Sequence, residues 1–238
     1  MIEAVTVIVP AHDEEQRLAE CLSSVVTAVA AVRGSVREVS VQLVLDACTD
    51  DSAAIAAPFD VEIHVMDAAC VGRARAVGVD AAIARHADVP LTRLWTAHTD
   101  ADSVVLPHWL SHQLDLADAG ADIVIGTVRP DFRELSARQV EAWWATHTLG
   151  VANGLVHGAN LGMRASSLVA AGGFDDVCVH EDVWLVDDAL DLGARAVASD
   201  AAWVLTSGRQ VGRTPGGYAR YLREDLIPSA AGRALRAS

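Results

Sequence analysis

Short β-branched runs that each end in a polar cluster, alternating with helical stretches, constrain this chain more than any other feature. Residues 5–9, 39–45, 61–66, 91–97 and 122–127 have the composition of strands. Between them, 14–31, 52–57, 73–86 and 107–119 are Ala/Leu-rich or amphipathic and predict helices. Such alternation builds a largely parallel central sheet flanked by helices, an α/β, Rossmann-like architecture. After Gly126 the pattern changes. A polar, arginine-bearing stretch over 129–138 leads to a predicted helix with Trp143 and Trp144, and a lobe boundary is expected there. Residues 150–162 hold four glycines with Asn153, His157 and Asn160, a composition suited to a loop that approaches a ligand. A helix over 182–192 and a last strand over 201–206 follow. The tail from Ser207 carries Arg209, Arg213, Arg220, Arg223, Arg233 and Arg236 against Glu224 and Asp225.

Composition removes whole classes of function. With 238 residues and 52% hydrophobic content the chain can bury a full core. Its longest apolar stretch, 21–32, contains Ser23, Ser24 and Thr27 and falls short of the roughly 20 residues a membrane span needs. The first residues lack the basic region of a secretory signal, so a cytoplasmic location is expected. Cys21, Cys48, Cys70 and Cys178 lie far apart without a CxxC pair and read as free thiols. A net charge of −14 repels a polyphosphate backbone, so no nucleic-acid partner is expected. All 18 basic residues are arginine, which excludes Schiff-base, pyridoxal-phosphate and Walker A chemistry, each of which needs a lysine.

Ligands of open α/β sheets sit beyond the carboxyl ends of the strands. Polar clusters follow the first four strands: Pro10 to Glu15, Asp46 to Ser52, Asp67 to Arg75, and Asp100-Ala101-Asp102. Two carboxylates one residue apart at a strand end can hold Mg²⁺ or Mn²⁺ completed by substrate phosphates and water, or can serve as turn and cap acids. Glu181-Asp182 opens a predicted helix, where acids complement the helix dipole or face a cleft as a general base.

The ordered set resembles the family 2 glycosyltransferases of GT-A fold. Its pieces are Val7-Ile8-Val9-Pro10-Ala11-His12-Asp13-Glu14-Glu15, Leu45 to Ser52, Asp100-Ala101-Asp102, Asn160 to Arg164 through Gly172-Gly173-Phe174, and Glu181-Asp182. The resemblance runs from Val5 to about Leu192 and implies one GT-A domain over 1–238. Residues 1–125 would form its nucleotide-sugar-binding half, and 126–238 an acceptor-binding half with a basic tail.

The resemblance also implies roles. Pro10, Ala11, His12 and Glu14 would contact base and ribose, and Asp46 would read the base edge. The usual acidic-Gly-Ser turn after Asp46 is replaced here by Ala47-Cys48-Thr49-Asp50-Asp51. Arg73 and Arg75 would lie near the diphosphate, one of the two facing solvent, because a guanidinium gives bidentate bonds to phosphate. Asp102 would ligate the metal, with Asp100 on ribose or metal and Ala101 between them. Asp182 would be the general base of an inverting displacement, with Glu181 beside it. His157, Gly158 and Asn160 would border the sugar pocket, and Arg209 and Arg213 would clamp the diphosphate as part of a closing loop. Trp109, Trp143 and Trp144 offer faces for sugar stacking, although tryptophan at helical spacing also fills cores. His98, within a strand, reads as a core histidine.

The implied activity is metal-assisted transfer from a UDP-sugar, in preference to a GDP-sugar, to a sugar, lipid-linked or small-molecule acceptor. Peripheral contact with the inner face of a membrane is an accompanying expectation. A degenerate nucleotide-sugar-binding protein is the competing reading. An Asp-x-Asp phosphatase of the HAD class is disfavoured, since its motif belongs on the first strand with a later lysine.

Overall fold

The computed structural model describes residues 1–213 and 216–227, so Arg233 and Arg236 lie outside the described residues. Seven strands form one mixed sheet in the order β3-β2-β1-β4-β6-β5-β7. They are β1 (Ala4–Ala11), β2 (Glu38–Asp46), β3 (Glu62–Met66), β4 (Leu94–His98), β5 (Ile123–Pro130), β6 (Leu161–Arg164) and β7 (Ala196–Thr206). Strands β1 to β4 pair in parallel, as does β5 with β7, and β6 runs antiparallel between β4 and β5.

Every residue of β1 is buried, and its alternate side chains feed two cores. Val5, Val7 and Val9 pack with α1 (Leu18–Val32) and α4 (Trp109–Asp118) on one face, beside α2 (Ser52–Ala56). Ile8 packs on the other face with α3 (Val71–Arg85), α6 (Ala165–Ala170) and α7 (Glu181–Asp191). This period-two division is what a strand covered on both faces requires. Helices α5 (Ala137–Trp144) and α8 (Tyr218–Arg220) meet in a small satellite cluster around Trp143, Tyr218 and Leu222. Among the described residues, no helix is long and apolar enough to cross a membrane.

The structure moves several predicted boundaries. Helix α1 begins at Leu18 rather than Glu14, and two backbone N–H groups ahead of it are bound by side chains of the segment after β2. Glu14 N donates to Ser52 Oγ at 3.1 Å and Glu15 N to Asp50 Oδ2 at 2.8 Å. Residues 91–93 form a 3-10 turn, so β4 starts at Leu94. Strand β7 starts at Ala196, and a register shift between Gly126 and Val128 separates its two halves. Strand β6 is absent from the sequence reading, since four residues including Gly162 do not register as a strand against the glycine-rich loop before them.

Asn160 is a brace. Its Oδ1 accepts from Trp109 Nε1 at 2.8 Å, while its Nδ2 donates to the carbonyls of Thr127 and Ala202 at 3.0 Å each. One amide thereby ties α4 to β5 and β7. Gly126 faces it, and a Cβ there would collide with the amide. Asn160 and Trp109 are both buried. The expectations of a sugar contact for Asn160 and a stacking face for Trp109 are therefore corrected: their polar atoms satisfy one another inside the core.

A second polar knot lies away from the strands' carboxyl ends. His86 Nε2 stands 3.1 Å from Thr6 Oγ1 and 3.2 Å from Ser40 Oγ, and its Nδ1 lies 3.3 Å from Glu38 Oε2. Burial lowers the His86 pKa; Glu38 opposes this, and Arg85 and Arg37 reinforce it.

Two predictions follow from these braces. Asn160→Ala removes three buried hydrogen bonds of about 1 kcal/mol each and lowers unfolding stability by about 3 kcal/mol in a denaturant titration. Because the folded His86 pKa lies below that of the unfolded chain, stability is complete above pH of about 6.5 and falls as acid protonates the unfolded state, by at most about 1.4 kcal/mol per pH unit. Urea titrations at pH 7.5 and 5.5 should show this loss in the native chain and a smaller one in His86→Gln.

A candidate active site at the carboxyl edge of the sheet

A cleft of about 740 Å³ opens beyond the carboxyl ends of β1, β2 and β4 and is closed on the far side by α7 and the segment after β7. Seven acidic side chains and three guanidiniums line it. Pro10, Ala11, His12, Glu14, Asp46, Arg75, Asp100, Ala101, Asp102, Glu181, Asp182, Arg209 and Arg213 all border this one space. Residues from separate segments of the sequence are thereby brought together by the parallel register of the strands.

Arg75 is the deepest cation. It is 1% exposed; its Nη2 donates to Asp100 Oδ1 at 2.5 Å and its Nε to Glu181 Oε1 at 3.2 Å. Gly158 lies so close that a Cβ would strike the guanidinium, and the Phe174 ring lies 5.9 Å away on another side. Burial raises the Glu181 carboxyl above its usual range, with Arg75 opposing. Asp182 Oδ2 accepts from Gly158 N at 2.5 Å, which fixes the next carboxylate against the same loop.

Nearer the mouth, Arg209 Nη2 lies 2.6 Å from Glu14 Oε1 and 2.9 Å from Asp102 Oδ2. Burial pushes the Asp102 carboxyl up to about 6, with Arg209 pulling it back. Arg213 donates to the Asp13 carbonyl at 2.5 Å and stands 3.7 Å from Glu14. His12 Nδ1 carries the ring proton, because its partner at 2.6 Å, the Asp46 carbonyl, can only accept.

Asp46, which borders the cleft, also shapes a loop. Its Oδ1 accepts from the N–H groups of Ala68 and Ala69 at 2.7 and 2.9 Å, and its Oδ2 from Cys70 N at 2.7 Å. The carboxylate is committed to shaping the loop that starts α3. Arg73 stands on the solvent side of α3 and pairs with Asp176 at 3.1 Å, outside the cleft lining. Trp143 is buried, T-shaped against Phe132 and stacked on His147 at 3.9 Å, so it offers no free face. Trp144 is partly exposed but does not line the cleft.

Cys70, His180 and Tyr218 line the cleft without having been singled out. Only His180 carries a local signal, and a weak one, as the residue before Glu181-Asp182. Four non-glycine residues among those described adopt positive φ: Asp13, Ala47, Ala69 and His180, at 51°, 51°, 50° and 65°. Each belongs to a loop that borders the cleft, where such backbone strain tends to accumulate.

Asp100 and Asp102 bring oxygen donors of the type hard divalent cations take, within a lining of net negative charge. The one group of three ligating side chains within 4.8 Å among the described residues is Asp13, Cys48 and Asp50, none of which lines the cleft. Its carboxylates already accept from Thr49 N and from Glu15 N and Ser52 N, so they tie the loop after β1 to the loop after β2.

A family model described as glycosyl transferase family 2 matches residues 6–159. Solved structures share the fold at low identity. S. aureus TarS 1–349 in complex with UDP-GlcNAc superposes with a TM-score of 0.66 at 16% identity, over 90% of this chain and 61% of that one. The mannosyltransferase PcManGT from Pyrobaculum calidifontis, in complex with GDP-Man and Mn²⁺, gives 0.62 at 20% identity, over 100% and 79%. Glucosyl-3-phosphoglycerate synthase from Mycobacterium tuberculosis, with Mg²⁺ and UDP, gives 0.60 at 19%, over 92% and 76%. The chain thus spans about three fifths of the TarS fragment. No curated protein matches it significantly in sequence.

Asp46→Ala should separate shaping from reading. Loss of three charge-assisted bonds lowers unfolding stability by at least about 3 kcal/mol in urea, whereas a carboxylate that only read a base would leave stability unchanged.

Proposed function

The chain belongs to glycosyl transferase family 2, and from that premise we propose that it moves a glycosyl group from a nucleoside-diphosphate sugar to an acceptor hydroxyl with inversion at the anomeric carbon. The observation that carries this reading is the buried guanidinium of Arg75, which joins Asp100 of the Asp-x-Asp motif to Glu181 at the start of α7. Donor-side and acceptor-side acids are thereby set at a fixed separation, as a direct displacement demands.

The donor nucleotide lies along Pro10, Ala11 and His12, and its diphosphate is met by Arg209 and Arg213. UDP is preferred over GDP in this reading; the solved relatives bind both kinds, UDP-GlcNAc in TarS and GDP-Man in PcManGT. The donor set of Asp102 and Asp100 fits Mg²⁺ or Mn²⁺, and such an ion, when bound, neutralises charge that builds on the departing diphosphate.

Asp182 takes the proton of the attacking hydroxyl. Its neighbour Glu181 is buried against Arg75, which suits it to hold the pair in register. The Gly158 amide orients the Asp182 carboxylate toward the cleft. Attack opposite the leaving group passes through an oxocarbenium-like state and needs no covalent nucleophile. The acceptor, a sugar, a lipid-linked sugar or a small molecule, comes in beside Leu155, His157 and Tyr218, all of which line that end. Exposed Leu149, Val151 and Leu155 adjoin it, in keeping with a cytoplasmic enzyme that touches a membrane peripherally.

The test is nucleoside diphosphate release from a panel of UDP- and GDP-sugars with Mn²⁺ or Mg²⁺. Metal-dependent release from one donor, cut at least about 100-fold in both Asp102→Ala and Asp182→Asn, is expected. Nucleotide binding without release from any donor in the presence of acceptor extracts would make the chain a binding protein instead.

A further inference from the structure

The carboxylates expected to hold the cation already face cations of the chain itself, and the two cations differ in kind. Arg75, on Asp100, is enclosed by α3, Gly158 and Phe174 and belongs to the core. Arg209, on Asp102 and Glu14, projects from the irregular segment after β7, and its side chain keeps about a quarter of its surface in solvent. The polar contacts of the segment around it include Arg209 N to Ser207 Oγ at 3.2 Å, Gln139 Nε2 to Gln210 Oε1 at 3.0 Å, and Arg213 to the Asp13 carbonyl.

We propose that Arg209 is an internal counter-cation that competes with the divalent metal for Asp102, so that metal binds well only when a nucleoside diphosphate draws Arg209 away. A guanidinium within 2.9 Å of Asp102 Oδ2 and a divalent ion on the same carboxylate repel one another, so metal binding is weakened as long as Arg209 stays. If Arg209 leaves alone, its charge goes to solvent and Glu14, 7% exposed in its side chain, loses its nearest partner. A diphosphate changes that balance. Its oxygens accept the fork of Arg209 and the nearby Arg213, which leaves Asp102 to the metal. Linkage then requires that nucleotide tighten metal binding and metal tighten nucleotide binding by the same factor.

The inference rests on the metal-assisted reading above, and its test tells the two apart. Mn²⁺ binding to the full chain is followed by electron paramagnetic resonance of the free ion, with and without UDP or GDP, in the native chain, Arg209→Gln, Arg209→Lys and Asp102→Ala. Trypsin supplies a second readout, because a chain without lysine is cut only at arginine. Cleavage after Arg209 in the native chain, identified by mass spectrometry, reports release of the segment.

The native chain should bind Mn²⁺ at least ten-fold more tightly with the nucleoside diphosphate than without. Arg209→Gln should bind Mn²⁺ alone at least ten-fold more tightly than the native chain and lose most of the nucleotide effect, while Arg209→Lys falls between. Saturating Mn²⁺ alone should accelerate cleavage after Arg209. Circular dichroism melts confirm that the variants are folded. Equal Mn²⁺ affinity in the native chain and Arg209→Gln, with binding lost in Asp102→Ala, overturns the competition while leaving the metal site standing. Mn²⁺ binding that Asp102→Ala does not touch, or none with any nucleotide, overturns both.

Discussion

A charge removed almost wholly from water organises this molecule. Arg75 sits among aromatic, glycine and helix backbone with two carboxylates within 3.2 Å, and desolvation makes any arrangement that leaves it unpaired costly by several kcal/mol. Its partners come from the end of β4 and the start of α7. The position of α7 over the sheet is therefore fixed by electrostatics as well as by the apolar contacts of Leu185 and Val186. Gly158 completes the arrangement from the loop before β6 by offering no side chain where the guanidinium must lie.

Parallel strands bring the loops to one edge, and the insertion of β6 sets how that edge is divided. Because β6 runs antiparallel between β4 and β5, the segment that precedes it arrives at the same edge as the loops following the parallel strands. Its residues 154–159 line the cleft there. The Asn160 amide then anchors this segment to α4, β5 and β7, so this end of the cleft is tied to the core.

Much of this was legible in the sequence, and the misses have a common cause. The β-branched runs locate β1, β2, β3 and β5, with the ends of β2 and β3 within one residue and those of β1 and β5 within three. Strand β6 is four residues long and needed partners before it could be recognised, while β7 carries Asp200 midway and only its second half, 201–206, reads as a strand in the sequence. The acids at 100, 102, 181 and 182 follow from position in an ordered pattern. A pattern cannot say which polar side chains turn inward to serve the fold. Asp46 serves three backbone amides, Asn160 a core tryptophan, and Arg73 the surface. Pocket residues such as Tyr218 come from a stretch with no periodic signal and are recruited by tertiary packing alone.

Arginine is the chain's sole strong cation, and in the cleft that choice sets a direction. Guanidinium groups keep their charge at any pH a cell reaches, whereas the opposing carboxylates, with Asp102 raised to about 6, lie closer to titration. Acidification therefore shifts the cleft toward positive charge, with the three guanidiniums as the part of its lining that does not change. The guanidiniums thus keep their attraction for phosphate as the attraction of Asp102 for a cation weakens in acid.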